Sequence, residues 1–389
     1  MGPLDGIRVV DFTRYQQGPW GTTMLADMGA EVIKIENRVG GDLGRALGRQ
    51  PDGFCAYFEA HNRGKKSVGL DLKRPEAREI VGKLVEQSDV LVHNFRPGVM
   101  DRLGFGYEAM KQINPLIIYA SGSGFGPRGP IAERPSFDII GQGLGGIMVT
   151  QGGGPGCDPV TVTPGVSDQV GGMMLAFGIT SAIIARDRLG VGQQVDTSLY
   201  GSQISLQAMN ITRALRMGAH GSGFTNPTFT AYPCADTKWL TIGVLDPDVY
   251  VRLCQALDRL DLTHDQRFAE PFARYANAAA LAMEIGAGFR SNTRDYWLER
   301  LIAHDVPCGP VQDHIDVGAD PQAEANGYIT TVEHPTLGEL RVVGVPADLS
   351  ATPGSVGIAP ELGEHTDEVL SMLGYDSGQI DSLRGAGVV

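Results

Sequence analysis

Five cysteines, Cys55, Cys157, Cys234, Cys254 and Cys308, stand singly along 389 residues, with no CxxC pair among them. Such spacing supplies neither a disulfide framework nor a metal clip, and it fits reduced thiols in a cytoplasm. Positive charge is also short. A net charge of −13 works against a general role on nucleic acid or an anionic membrane, since both require a cationic surface. The opening MGPLDGIRVVDF lacks the charged segment followed by an apolar one that marks a signal peptide. The longest apolar stretch, 171–185, is short and glycine-rich for a membrane span. No Walker A, HExxH or GxSxG pattern occurs, and the eight histidines show no metal-ligand spacing, so no metal is expected. What remains is the composition of a soluble, cytoplasmic globular protein, 42% hydrophobic and 20% charged, long enough for two domains.

Strand and helix patterns alternate through the N-terminal half. GIRVVDF (6–12), EVIKIE (31–36), SVGLDL (67–72), DVLVHNF (89–95) and LIIYASGSGF (116–125) read as strands. GTTMLADMGA (21–30) and RPEAREIVGKLVEQSD (74–89) read as helices, the second with Pro75 at its start and Ile80, Leu84 and Val85 on one face. This repetition predicts an α/β fold with a mainly parallel sheet covered by helices. A linker composition over 218–228 precedes a more helical piece. The expected division is a large domain over 1–224, a small inserted α+β domain over 225–325, and a return to the large domain over 326–389. GELRVVG and LGEHTDEVLSMLGY are the strand and helix of that return.

Two glycine-rich stretches need separating. GQGLGG (141–146) fits GxGxxG, but it does not follow the first strand, where a dinucleotide site requires it, so it reads as close helix packing or a turn. GSGFGPRGP (122–130) directly follows a strand, where ligands of open α/β sheets bind; its backbone either approaches a ligand or merely turns. Charge is uneven too. Residues 34–102 hold 13 of the 32 basic residues against ten acids, in segments such as HNRGKKS (61–67), DLKRP (71–75) and NFRPGVMDR (94–102). Such a cluster suits a polyphosphorylated nucleotide or, equally, a solvated face. In GVSDQVGG (165–172) a single acid, Asp168, opens an apolar helix with Ser167 as its N-cap. Asp168 is either a helix-start acid or a carboxylate nucleophile, kept ionised by backbone N–H groups and approached past Gly165, Gly171 and Gly172.

LADMGAEVIKIE, NRGKKSVGLDLK, NFRPGVMDRLGFGYE, NPLIIYASGSGFGPRGP, ERPSFDIIGQGLGG, GVSDQVGG, HPTLGELRVVG and GEHTDEVLSMLGY, in this order, resemble the class III CoA-transferases, the family of formyl-CoA transferase and carnitine CoA-transferase. The resemblance runs from about residue 3 to 375. It implies a large domain built from both chain ends, an inserted small domain, and two ring-like subunits interlocked as a homodimer. It implies Asp168 as nucleophile, passing through an aspartyl anhydride and an aspartyl-CoA thioester, with Gln16 steadying the acyl intermediate. Coenzyme A is then a substrate, with no tightly bound cofactor. Matched positions assign CoA contacts to Tyr15, Gln16, Arg38, Leu70, Lys73, Asn94, Phe95 and Arg102: Arg38, Lys73 and Arg102 on phosphates, Leu70 and Leu72 on adenine.

Two departures stand out. Phe137 and Asp138 replace a Tyr-Glu pair that some relatives hold beside the nucleophile, and the loop glycines Gly218, Gly221 and Gly223 are sparser than in relatives with a mobile active-site loop. Arg45, Arg49 and His61 are the candidate partners of a second substrate carboxylate, which leans the acceptor towards a small dicarboxylic acid. Two other functions compete. An α-methylacyl-CoA racemase shares the motifs but needs a histidine where this chain has Phe137, which transfers no proton. A non-catalytic CoA-binding protein is the other.

Overall fold

The computed structural model describes residues 1–218 and 226–389. Most of the expected linker, with Gly221 and Gly223, lies outside those described residues. Contacts divide the chain into two compact units, Met1–His220 with Glu324–Val389, and Gly221–Ala323.

The first unit is built on one sheet of β1 (Arg8–Asp11), β2 (Glu31–Glu36), β3 (Lys66–Gly69), β4 (Val90–His93), β5 (Ile118–Ser123) and β6 (Gln193–Ser198). Their order is β3-β2-β1-β4-β5-β6 and every adjoining pair is parallel. Alternate side chains feed two cores, as the two-residue period of a strand requires. Val10, Ile33, Ile35 and Leu91 meet Ile80, Val81 and Leu84 on one face, while Val9, Val32, Val90 and Val92 meet Leu175, Ile179 and Ile183 on the other. Because both faces are covered, these strands read as nearly continuous β-branched runs.

Helices α1 (Gln17–Asp27), α2 (Ala56–Asn62), α3 (Pro75–Glu86), α4 (Asp138–Gly145), α5 (Val166–Leu189) and α6 (Leu199–Leu206) belong to this unit. Pro75 occupies the first turn of α3, where its missing N–H costs nothing, and Ala77, Ile80, Val81, Leu84 and Val85 form its buried stripe. Among the described residues α5 alone is long and apolar enough to cross a membrane, yet its Leu175, Ala176, Ile179, Ala182 and Ile183 pack into the sheet's core. The glycines of GQGLGG lie in and just after α4, where a Cβ on Gly141 would come within 2.9 Å of Ser167 Oγ and one on Gly145 would collide with Gln203. They let α4 pack closely against α5 and α6.

A further helix, α7 (Thr366–Met372), returns to this unit. The His365 N–H donates to the Ser67 carbonyl and the Gly69 N–H to Thr366 Oγ1, while Val369, Leu370 and Leu373 join the core around Val10. The returning strand also falls within the first unit, but outside its parallel sheet. Among the described residues Gly338–Val343 pairs only with Ile329–His334, as an antiparallel hairpin. Glu339 and Arg341, with their partners, leave this ribbon half polar, unsuited to a sheet covered on both faces. The second unit has its own antiparallel sheet, Phe229–Pro233, Trp239–Gly243 and Cys308–Pro310, and its own core around Leu240, Leu253, Phe268, Phe289 and Trp297.

Candidate active site

In the first unit's sheet the chain runs outward from β1 in one direction and from β4 in the other, so the crevice at their carboxyl ends is the topological switch point. The segments leaving β1, β4 and β5 meet there, and Asn94 stitches two of them: its Oδ1 accepts from the Arg14 N–H at 2.8 Å and its Nδ2 donates to the Arg14 carbonyl at 2.7 Å. Tyr15 is held at φ 63°, a left-handed conformation unusual for a bulky residue. Its N–H donates to Asp42 Oδ1 at 3.2 Å, and Asp42 is paired with the buried Lys34 Nζ at 3.0 Å.

The cavity in this crevice is lined by Arg14–Gln17, Asn94–Pro97, Gly122–Gly124, Arg134, Phe137 and Asp168. Of the glycine-rich stretch 122–130, Gly122 and Ser123 at the end of β5 and Gly124 just beyond it line this cavity. Two helices begin at it. α1 and α5 cross where Gly21 and Gly172 face each other; a Cβ on Gly172 would lie 2.6 Å from the Gln17 carbonyl oxygen, so no larger residue allows this approach. The start of α5 differs from expectation: its N-cap is Gly165 at φ 91°, and Ser167 lies within the first turn, fully buried, its Oγ accepting from Gln203 Nε2 at 2.9 Å. Asp138, at the start of α4, provides the cap instead. Its Oδ1 accepts from the N–H groups of Ser167 at 2.7 Å and Asp168 at 3.1 Å, and its Oδ2 from Gln142 Nε2 at 2.6 Å.

This arrangement sets the state of Asp168. Burial, and after it the negative charge of Asp138, raise its carboxyl from the usual 3.8 to about 7, against the pull of the Gln17 backbone N–H. Burial and the Asp138 charge thus leave Asp168 less ionised than the sequence reading required, and the backbone N–H only partly offsets them. A carboxylate with that pKa is half ionised near neutrality and more basic than an ordinary one. Burial first, and then Asp168, push the Tyr57 phenol upward, so it stays protonated. Gln16 is buried beside Gly165 and its Nε2 donates to the Pro164 carbonyl at 2.8 Å. Gln17 is buried as well, between Gly122 and Gly171, and its Nε2 has no hydrogen-bond partner among the described residues.

The other candidates divide. Tyr15, Gln16, Asn94, Phe95 and Phe137 line the Asp168 cavity, with the Phe137 ring edge-on to Tyr15 at 5.8 Å. Arg38, Lys73 and Arg102 are exposed on loops or a short helix that follow the sheet strands. Leu70 is a correction: it is 1% exposed within the sheet core, so its side chain has no surface for an adenine, whereas Leu72 is partly buried at the edge of that core. Arg45 and Arg49 are a second correction. They line a different cavity with Cys55, Phe58 and Glu361, and Arg45 is engaged by Glu36 at 2.6 Å.

His61 is buried, its Nδ1 2.6 Å from the Tyr57 carbonyl and its Nε2 3.1 Å from Gln169 Nε2; burial lowers it to about 4, so it is a neutral neighbour of the residue after Asp168 rather than a cation. Much of the basic segment is spent internally. Lys34, Arg63 and Lys65 are buried against Asp42, Asp27 and Asp11. The cations that do line the Asp168 cavity are Arg14, Arg96 and Arg134, which sequence reasoning left out of the site. Their only sequence signal is position, Arg14 and Arg96 each lying just beyond a strand end.

The model of CoA-transferase family III matches residues 4–366. The chain belongs to this family. A formyl-CoA:oxalate CoA-transferase of Rhodopseudomonas palustris (strain BisA53) is 33% identical to it, covering 99% of this chain and 97% of that protein. A succinyl-CoA:mesaconate CoA-transferase of Haloarcula hispanica is 37% identical over 97% of this chain and 98% of the relative. Among solved structures, a CAIB/BAIF family protein from Brucella suis superposes with a TM-score of 0.85 at 34% identity, covering 96% of this chain and 99% of that one. As a family III member the chain is an enzyme that transfers CoA from an acyl-CoA to a carboxylic acid.

Proposed function

We propose that the enzyme passes CoA to a small dicarboxylic acid by covalent catalysis at Asp168. The ionised Asp168 attacks the thioester carbonyl carbon of the donor; the C–S bond breaks and CoA leaves as thiolate, giving a mixed anhydride. The thiolate then attacks the Asp168 carbonyl carbon, releasing the donor acid as carboxylate and leaving an aspartyl-CoA thioester. The acceptor carboxylate attacks that thioester, CoA leaves again, and its return to the acceptor's acyl carbon regenerates the Asp168 carboxylate. No water enters, so the thioester's energy is conserved.

The observation that carries this reading is a basic carboxylate at the joint start of two helices, within the switch-point crevice and under arginines. Tyr15, Gln16, Asn94 and Phe95 line the path of the CoA arm, Leu72 lies beside its adenine, and Arg38, Lys73 and Arg102 meet its phosphates. The dicarboxylate preference rests on relatives named for oxalate and mesaconate transfer. Phe137 has no atom that takes a proton, so nothing at this place favours racemisation.

The enzyme works as a cytoplasmic homodimer with interlocked subunits. Support comes from α5, whose Met173, Phe177 and Ile184 are exposed on the face away from the sheet and would be covered by a second copy. The test of the chemistry is to supply labelled succinyl-CoA, quench and digest: the peptide containing Asp168 gains the mass of the acyl or CoA group. Product formed without any such gain refutes the covalent route.

A further inference from the structure

Lys34, Arg45 and Lys65 belong to the cation-rich segment yet take no part in the steps above. They form a network with three acids: Lys65 pairs with Asp11 at 3.2 Å, Lys34 with Asp42 at 3.0 Å and Arg45 with Glu36 at 2.6 Å. The Asp42 N–H joins two of these pairs by donating to Glu36 Oε2 at 2.8 Å. Lys34 is 0% and Asp42 2% exposed. Stability alone does not account for ions placed so deep, since apolar side chains of similar volume often serve a core as well or better. What the network does is hold backbone. Lys34 Nζ donates to the Thr13 carbonyl at 2.7 Å, and Asp42 Oδ1 accepts from the N–H groups of Tyr15 at 3.2 Å and Gly44 at 2.9 Å. Asn94 holds both polar main-chain groups of Arg14, and the Trp20 N–H donates to the Gln16 carbonyl at 2.8 Å, so the chain is pinned on each side of Tyr15.

Tyr15 requires such holding. At φ 63° its Cβ crowds the backbone, and a tyrosine without restraint returns to negative φ. Any such return would rotate the peptides that follow. Those peptides matter to the chemistry: Tyr15 and Gln16 line the Asp168 cavity, and Gln17, which opens α1, turns its main-chain N–H on the Asp168 carboxyl.

We propose that Asp42, fixed by Lys34, is a positioning residue that holds Tyr15 left-handed and thereby aims the 15–17 turn at the acyl group carried on Asp168. The inference rests on the transfer reaction above. Asp42 touches no reacting atom and acts through one peptide N–H. Its charge serves only to fix the carboxylate, so an asparagine beside an apolar neighbour keeps the acceptor.

Two paired replacements test this without stranding a buried ion. Lys34→Met with Asp42→Asn keeps an acceptor for the Tyr15 N–H, and Lys34→Met with Asp42→Ala removes it. Each pair is made with Tyr15 retained, with Tyr15→Ala and with Tyr15→Gly, because glycine takes positive φ freely and alanine does not. With labelled succinyl-CoA, the Asp42→Ala pair is expected to label Asp168 about tenfold more slowly than the Asp42→Asn pair when position 15 is tyrosine or alanine. With glycine there the two should agree within about threefold. An equal ratio in all three backgrounds overturns the proposal, because a general loss of structure does not tell alanine from glycine at position 15. So does a ratio within about threefold when Tyr15 is retained. A second measurement needs neither pair: Tyr15→Gly should melt above Tyr15→Ala. The reverse order overturns the proposal, since residue 15 would then carry no strain for Asp42 to hold. Product formed by the unaltered enzyme without labelling is a separate result that refutes the covalent route; the same ratios are then read from the rate of product formation.

Discussion

Replacing Asp138 by Asn tests how the site sets the basicity of Asp168. The substitution removes a negative charge and keeps an oxygen that accepts from the Ser167 and Asp168 N–H groups. Its new NH₂ would face Gln142 Nε2, a donor already fixed on the Val162 carbonyl, so a local cost of about 1 kcal/mol is expected. Burial is the larger cause of the rise of Asp168 to about 7 and the Asp138 charge the smaller. Losing that charge should lower the midpoint by about one pH unit. Roughly a tenth of the unaltered enzyme carries an ionised nucleophile at pH 6, against about half of the variant. The expected result is therefore about fivefold higher kcat/KM for the acyl-CoA donor at pH 6. At pH 8.5, where both enzymes are ionised, the variant should be equal or somewhat slower, its carboxylate being less basic. The assay is kcat/KM from pH 5 to 9 at constant ionic strength. An acid limb that stays near 7 or moves upward would refute the assignment of Asp138 as a source of the shift.

Two further outcomes concern stability. Asp168 titrates higher in the folded protein than its ordinary 3.8, so its favourable contribution is fully present below about 4 and is lost as pH rises through about 7. Asp168→Asn should therefore raise the melting temperature at pH 8, by a stabilisation on the order of 2–4 kcal/mol, and much less at pH 4; equal shifts at both pH values would contradict it. Arg63→Ala strands the buried Asp27, which now accepts two hydrogen bonds from that guanidinium, and should cost about 3–5 kcal/mol in urea unfolding; a loss under about 1 kcal/mol would mean the pair is solvated.

The sheet was legible because its strands are β-branched runs bounded by glycine or by a helix signal, and EVIKIE coincides with Glu31–Glu36. α3 was legible from one proline and one apolar stripe. Asp168 stood out as an acid at the mouth of an apolar helix, but the identity of its cap did not: Ser167 has the right chemistry for an N-cap, and Gly165 and Asp138 take the role because α4 docks there. Leu70 and Arg45 show the same limit. Nothing local distinguishes a leucine that fills a core from one that faces a ligand, or an arginine free for substrate from one pinned to Glu36 and stacked over Phe58.

From sequence alone came the parallel α/β architecture, the acid that opens α5, and a surplus of cations in one segment. These follow from local periodicity and from which residue types occur together, both of which act over a few positions. The tertiary structure decided which cations are free and which are buried against Asp11, Asp27 and Asp42. It also decided that Asp168 is basic enough to sit half ionised near neutrality, and that the Gln17 amide is buried with its Nε2 unpaired among the described residues. Desolvation and hydrogen-bond satisfaction depend on groups distant in the chain, so they exist only once the fold has brought those groups together.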